Sequence, residues 1–196
     1  MSLARHLVIF ARAPRLGTVK RRLARDIGQV AALRFHRTNT AGLLRRLGRD
    51  PRWGCRLAVT PDRAAGAPGG LWPEAGRVIA QGTGDLGARM ARVMAALPPG
   101  PVVIVGSDIP GIQARHVAQA FQRLGDNDWV LGPASDGGYW LIGTRRRPVL
   151  RTPFDGVRWG GAHARADTLA NLGGARVALL EELDDVDTVA DLARRA

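Results

Sequence analysis

The chain has 196 residues, 45% of them hydrophobic, enough for one domain over 1–196 with a full-sized core. Its single cysteine, Cys55, excludes an internal disulfide, fits a reducing cytoplasm and, in an apolar run, reads as an inert core thiol. The net charge of +12 arises from 28 arginines and one lysine; they are scattered and not interleaved with aromatics, which argues for solubility and against a nucleic-acid groove.

In chain order, the apolar segment Leu7–Ala11 is too short for an export signal and runs into Arg12, so His6–Ala11 reads as a first buried strand. No stretch is long enough to span a membrane. Pro14 and Gly17 break the following loop. A helical pattern resumes at Val19–Arg25, and apolar residues at helical spacing predict a helix over Gln29–Leu47. Strands follow at Arg56–Thr60 and Arg77–Ala80, separated by Ala64–Pro73, short enough for a surface loop. Gly82-Thr83-Gly84-Asp85 opens a helix reaching about Leu97; a strand at Val102–Val105 precedes a helix at Arg115–Leu124. Strands at Trp129–Leu131 and Tyr139–Ile142 flank an Asp136-Gly137-Gly138 turn, and Ala175–Leu180 is a late strand. Thr188–Arg195 closes the chain as a helix, with Thr188 and Asp191 spaced as a capping box. Strands alternating with helices predict an α/β fold, a three-layer α/β/α sandwich on a mostly parallel mixed sheet. No Gly-x-Gly-x-x-Gly follows the first strand and no Walker-type loop occurs, which excludes a dinucleotide-binding Rossmann domain and a P-loop NTPase.

Chemistry concentrates in Pro101–Gly111 and Trp129–Gly143, apolar runs that break at small-residue turns carrying Asp108 and Asp136. Strands buried on both faces deliver such carboxylates to the crevice where ligands sit in open α/β sheets. Two of them there suit a divalent cation beside phosphate. The alternatives are that Ser107-Asp108 caps the next helix and that Asp136 begins an ordinary Gly-Gly turn. Ala11–Leu23 supplies a basic Gly/Pro loop before a helix amino terminus, an anion-binding arrangement with Arg12, Lys20 and Arg22 as phosphate contacts and Arg15 and Arg21 solvated. Lys20, alone among 28 arginines, either fills a place a planar guanidinium cannot or has survived by chance. Gln81–Arg89 is placed to cradle a base or ribose, with Asp85 either capping its helix or touching a hydroxyl. Tyr139 and Trp140 read as core or pocket wall.

Four segments in fixed order, Ala-Arg-Ala-Pro-x-x-Gly-x-Val-Lys-x-Arg-Leu, Gly-Asp-Leu-Gly-x-Arg-Met, Gly-Ser-Asp-x-Pro-Gly and Gly-Pro-Ala-x-Asp-Gly-Gly-Tyr, resemble the DUF2064 proteins over nearly the whole chain. These are also called arsenosugar-biosynthesis-type or radical-SAM/selenodomain-associated glycosyltransferases. They are similar in fold to GT-A nucleotide-diphospho-sugar transferases and to the molybdenum cofactor and phospholactate guanylyltransferases. The resemblance implies a glycosyltransferase that binds a nucleotide-activated sugar with Mg²⁺ or Mn²⁺ and serves a small acceptor. A nucleotidyltransferase releasing pyrophosphate, or a catalytically silent nucleotide-binding protein, is the alternative. Implied nucleotide contacts are Ala11, Arg12, Gly17, Lys20, Arg22, Gly84 and Asp85. Implied acceptor contacts are Gly137, Gly138, Tyr139, Trp159 and His163, with Asp108 holding the metal and Asp136 as catalytic carboxylate. One aspartate stands where GT-A enzymes carry Asp-x-Asp, so phosphate oxygens, water and Asp136 would complete the metal's shell. The family's Trp-Ser-Thr-Pro-like stretch is here Trp159-Gly160-Gly161-Ala162-His163, while Asp184-Asp185-Val186-Asp187-Thr188 resembles its Asp-Val-Asp-Thr segment.

Overall fold

Seven strands form one sheet: β1 (His6–Arg12), β2 (Gly54–Thr60), β3 (Val78–Ala80), β4 (Val102–Gly106), β5 (Trp129–Pro133), β6 (Tyr139–Thr144) and β7 (Val177–Leu179). Their spatial order is β3-β2-β1-β4-β6-β5-β7. The computed structural model describes residues 3–66, 71–72, 75–146, 151–189 and 191. Among the described strands only β6 is antiparallel to its neighbours, β4 and β5; the other pairings are parallel, the mostly parallel mixed sheet expected from the sequence.

Five α-helices cover the sheet: α1 (Leu23–Ile27), α2 (Gln29–Leu47), α3 (Leu86–Ala96), α4 (Ala114–Arg123) and α5 (Ala164–Asn171). Alternate residues of one strand face opposite layers. Leu7 and Ile9 of β1 pack with Val103 and Val105 of β4 under Leu43 and Leu47 of α2 and Val117 of α4. Val8 and Phe10 pack with Val102 and Ile104 under Met90 and Met94 of α3. Burial on both faces explains why these strands are continuous apolar runs instead of alternating ones. Cys55 sits half-buried against the first of these clusters, and burial pushes its thiol up to about 12, an inert group as expected.

Four local features carry information. The helix expected at Val19–Arg25 starts only at Leu23, because Lys20 adopts a left-handed backbone conformation, φ 46°, that a helix cannot contain. The helix α5 was not anticipated; it buries only Ala164 and Thr168, too few positions to print an apolar stripe in the sequence. Ser107-Asp108 does not cap α4, which begins six residues later with Gln113 as N-cap and His116 completing its capping box. The closing helix predicted over Thr188–Arg195 lies mostly outside the described residues, but its capping box is present: Thr188 N–H donates to Asp191 Oδ2 (2.8 Å) and Asp191 N–H to Thr188 Oγ1 (3.3 Å). Among the described residues no helix is long and apolar enough to cross a membrane.

β1 lies between β2 and β4, so the chain leaves it in one direction and returns on the other side. The carboxyl ends of β1 and β4 therefore border the topological switch point, where open α/β sheets bind ligands. Arg12 and Asp108 emerge there.

Candidate functional site

A cleft of about 460 Å³ opens at this switch point. It is walled by the 12–22 loop, the ends of β1 and β4, and the chain near Asp187. The helix α2 fixes both strand ends. Buried His36 donates from Nε2 to the Arg12 carbonyl (3.0 Å), since a carbonyl can only accept, and Asn39 Nδ2 donates to the Ser107 carbonyl (2.7 Å). His36 Nδ1 then faces Asp108 Oδ1 at 3.7 Å.

Lys20 is the centre of this arrangement. Its positive φ costs of order 1–3 kcal/mol, a strain retained where surroundings over-determine it. Its side chain is 3% exposed, donates to Asp187 Oδ1 (2.8 Å) and lies 3.3 Å from Asp108 Oδ2. The compact ammonium meets both carboxylates at once. Burial pushes the Asp108 carboxyl up, but the neighbouring His36 ring and the Lys20 charge outweigh it and hold Asp108 below the usual carboxylate range.

Asp187 arrives by way of the segment after β7, which runs along β5: Leu180 N–H donates to Leu131 O and Leu183 N–H to Pro133 O. Val186 is fully buried and donates its N–H to the Asp108 carbonyl (3.4 Å), so Asp185 and Asp187 flank a fixed point beside β4.

Arg89 enters the same cleft from α3. Buried Gln81 donates its amide hydrogens to the Ala11 and Ala58 carbonyls (3.2 and 2.8 Å), and its Oε1 accepts from Arg89 Nη1 (2.9 Å). Gln81 therefore positions a guanidinium instead of touching a base itself. Burial and the nearby charge of Arg12 lower the Arg89 pKa, the mark of cations gathered without enough anions.

A second cleft, about 230 Å³, shares Leu86, Gly106 and Asp108 with the first. Asp136, Gly138, Tyr139, Trp140, Trp159 and Asp185 line it. Asp136 Oδ1 accepts from Gly138 N–H (2.8 Å), so the Asp-Gly-Gly turn is real and still presents its carboxylate to the cleft. Gly137, at φ 83°, touches the Ala162 backbone and accepts from Arg165 N–H (3.0 Å), thereby seating the chain before α5. Tyr139 and Trp159 meet edge to face, 6.3 Å apart at 76°. Burial raises the Tyr139 phenol, whose oxygen is 3.4 Å from Thr168 Oγ1. Asp185 is pushed up to about 6 by burial and by the charges of Asp187, Asp136 and Asp108, against the opposing pull of Lys20. Among the described residues no three His, Cys, Asp or Glu side chains are grouped to hold a metal by themselves.

Gly87 of α3 lets this wall close. A Cβ there would lie 2.5 Å from Phe154 Cβ and 2.8 Å from Trp159 Cζ2. Gly87→Ala is expected to destabilise by about 1–3 kcal/mol through overpacking, read as a lowered midpoint in thermal unfolding; an unchanged midpoint would mean that the Trp159 segment yields freely.

The sequence-derived residues divide cleanly. Ala11, Arg12, Lys20, Arg22 and Asp108 line the first cleft; Asp108, Asp136, Gly138, Tyr139 and Trp159 line the second. Gly17, Gly84, Asp85, Gly137 and His163 line neither. Gly17 and Gly84 are turn glycines with φ of 74° and 98°. Asp85 caps α3 by accepting from Ala88 N–H (2.8 Å), and exposed His163 is the N-cap residue of α5. Arg21, expected in solvent, is exposed and stands at the rim of the first cleft. His36, Asn39, Arg89, Asp185 and Asp187 were not anticipated. Arg89 and the two aspartates stand inside strings already noted, Gly-Asp-Leu-Gly-x-Arg-Met and Asp-Asp-Val-Asp-Thr, whereas His36 and Asn39 are ordinary positions of an amphipathic helix.

A seven-stranded α/β sandwich with its clefts at this switch point has the fold of nucleotide-diphospho-sugar transferases. The chain belongs to the DUF2064 family, described as "Uncharacterized protein conserved in bacteria", whose model matches residues 43–161. A candidate nucleotide-diphospho-sugar transferase from Desulfovibrio desulfuricans G20 is 32% identical, with a TM-score of 0.84 over 98% of this chain and 85% of that one. Two more distant structures share the fold. CMP:2-keto-3-deoxy-manno-octonic acid synthetase, complexed with CTP, is 16% identical, with a TM-score of 0.56 over 98% of this chain and 97% of that one. Glucosyl-3-phosphoglycerate synthase from Mycobacterium tuberculosis, in complex with Mn²⁺, UDP and glucosyl-3-phosphoglycerate, is 11% identical, with a TM-score of 0.54 over 93% of this chain and 70% of that one. No curated protein matches the sequence.

Proposed function

We propose that the protein is a glycosyltransferase that takes a nucleotide-diphospho-sugar in the basic cleft and a small hydroxyl acceptor in the second cleft. The observation that carries this reading is that two clefts of opposite electrostatic character share Asp108 as a common wall. In this reading Arg12, Arg22 and Arg89 bind the diphosphate. The acceptor oxygen attacks the anomeric carbon, its proton passes to the Asp136 carboxylate, and the bond to the diphosphate oxygen breaks with its electron pair leaving on the diphosphate. Lys20 orients Asp108 and Asp187 and offsets their mutual repulsion.

The donor set suits Mg²⁺ or Mn²⁺ as a partial shell. It is all oxygen, and Asp185, raised first by burial and then by the charges of Asp187, Asp136 and Asp108, sits among carboxylates that a cation would offset. Asp108 and Asp185 would hold the ion together with phosphate oxygens, and the ion would supply charge to stabilise the departing diphosphate. Complexes of related folds with Mn²⁺ and UDP support this choice.

Thermal stability against nucleoside diphosphate sugars and triphosphates, with and without Mn²⁺, tests the reading. A ligand at about 100 times its dissociation constant adds roughly 2.7 kcal/mol, a shift of several degrees. A Mn²⁺-dependent shift with one sugar nucleotide is expected. A shift with triphosphates alone, with pyrophosphate released on turnover, would replace it with a nucleotidyltransferase.

Lys20→Ala is expected to weaken sugar-nucleotide binding at least about ten-fold, because it leaves two carboxylates facing the diphosphate without their cation, whereas exposed Arg49→Ala should leave it unchanged. Calorimetric titration of both variants checks this, and equal effects would remove Lys20 from the site.

A further inference from the structure

The two clefts sort charge sharply. The first sets Arg12, Lys20, Arg21, Arg22 and Arg89 against only two aspartates, Asp108 and Asp187, among the described residues. The second carries three aspartates, and no Lys, Arg or His borders it among the described residues, in a chain with 28 arginines. Scattered basic residues reach most surfaces of such a protein, so a cavity without one, holding Asp108, Asp136 and Asp185, is a recognition feature.

The rest of its wall is aromatic. Tyr139 and Trp159 form a corner, with ring centroids 6.3 Å apart and planes at 76°. Trp159 Nε1 is buried with no hydrogen-bond partner among the described residues, on the ring edge that packs against Gly87 of α3. Trp140, by contrast, already spends its indole N–H on the Glu181 carbonyl (3.1 Å).

From this arrangement we propose that the second cleft selects an acceptor without anionic groups: a small hydroxyl compound, neutral or cationic, whose alkyl or onium end packs in the Tyr139–Trp159 corner. Aromatic faces favour cations and alkyl groups alike, and carboxylates accept from hydroxyls while repelling phosphates and carboxylates. If Asp108 and Asp185 share a divalent cation, Asp136 still leaves the acceptor side with a negative wall. Phosphorylated or carboxylated acceptors are therefore rejected. This inference deepens the glycosyltransferase reading and rests on it for the word acceptor; the selectivity of the cleft itself does not depend on turnover.

The test uses three 2-hydroxyethyl compounds of similar shape and different charge: choline, 3,3-dimethylbutan-1-ol and isethionate. Binding to the full chain is followed by ligand-observed NMR, with Mn²⁺ absent. Choline and the neutral alcohol are expected to bind at least about ten-fold more tightly than isethionate. Isethionate binding as tightly as the alcohol, or none of the three binding, would overturn the proposal. Gly161→Arg supplies the reverse experiment. Gly161 lines the cleft, its φ is not in the left-handed region, and a Cβ there meets open space, so the arginine can be carried without strain. The variant should bring isethionate binding to within about two-fold of the alcohol; no change in the ratio would show that wall charge does not set selectivity. If these probes discriminate as expected while no sugar nucleotide binds the first cleft, the glycosyltransferase reading fails and the cleft's selectivity stands. The converse result leaves a nucleotide-sugar enzyme with an acceptor of another class.

Discussion

Asp108→Asn is expected to remove metal-dependent sugar-nucleotide binding, with a loss of about 10–100-fold or more in affinity and turnover, while the fold survives. Among the described residues Asp108 is the one carboxylate that borders both clefts. Asparagine keeps its shape and retains an oxygen, but it carries no charge to offer a cation or Lys20. The structural loss is small for a definite reason. Lys20 is 3% exposed but the Asp108 side chain is 49% exposed, so solvent still reaches one side of this half-buried pair and its loss costs about 1 kcal/mol. Lys20 also keeps its 2.8 Å bond to Asp187. The unfolding midpoint should therefore fall by only about 2–4 °C. Calorimetric titration with and without Mn²⁺ separates the two effects. Equal affinities for the parent and the variant would take Asp108 out of the site, and a collapse of the midpoint would make it structural.

What the sequence made legible follows from burial. The strands β1 and β4 are covered on both faces, and such strands print uninterrupted apolar runs whose ends can be located within a residue or two. Their carboxyl ends located Arg12 and Asp108. Residues brought in from far along the chain were harder to see. His36 and Asn39 reach the strand ends from the middle of α2, where a polar residue on a helix carries no mark of what it touches. Asp85 has the composition of a ligand contact and the position of a cap, and local hydrogen bonding decided for the cap. Gly137 and Gly138 share one motif, yet only Gly138 lines the cleft; Gly137 presses on the Ala162 backbone. Lys20 shows the limit most clearly. Its isolation among arginines pointed to a special place, but neither its left-handed backbone nor its two carboxylate partners could be read without the fold.

Asp185→Asn should act with opposite signs on stability and on function, a combination that a merely structural residue does not produce. The folded-state carboxyl is pushed up to about 6 by burial and by neighbouring aspartates. The folded protein thus holds this proton to higher pH than the unfolded chain, whose aspartate releases it near 3.9. The group's contribution to stability is present in full below the unfolded value and is lost as pH rises through about 6. Asparagine is neutral throughout. At pH 4 the variant and parent should unfold at nearly the same temperature. At pH 8 the variant should be the more stable by about 1 kcal/mol after allowance for solvent screening, a gain of about 2–4 °C. Addition of Mn²⁺ with a sugar nucleotide should reverse the order. The parent gains a partner for its excess negative charge and rises by several degrees, while the variant has lost a ligand and rises little. Unfolding midpoints at the two pH values, each with and without ligand, measure all four states. A variant less stable than the parent at pH 8 would show that Asp185 is satisfied by its surroundings. A parent-like response to Mn²⁺ would confine the metal to Asp108 and phosphate oxygens.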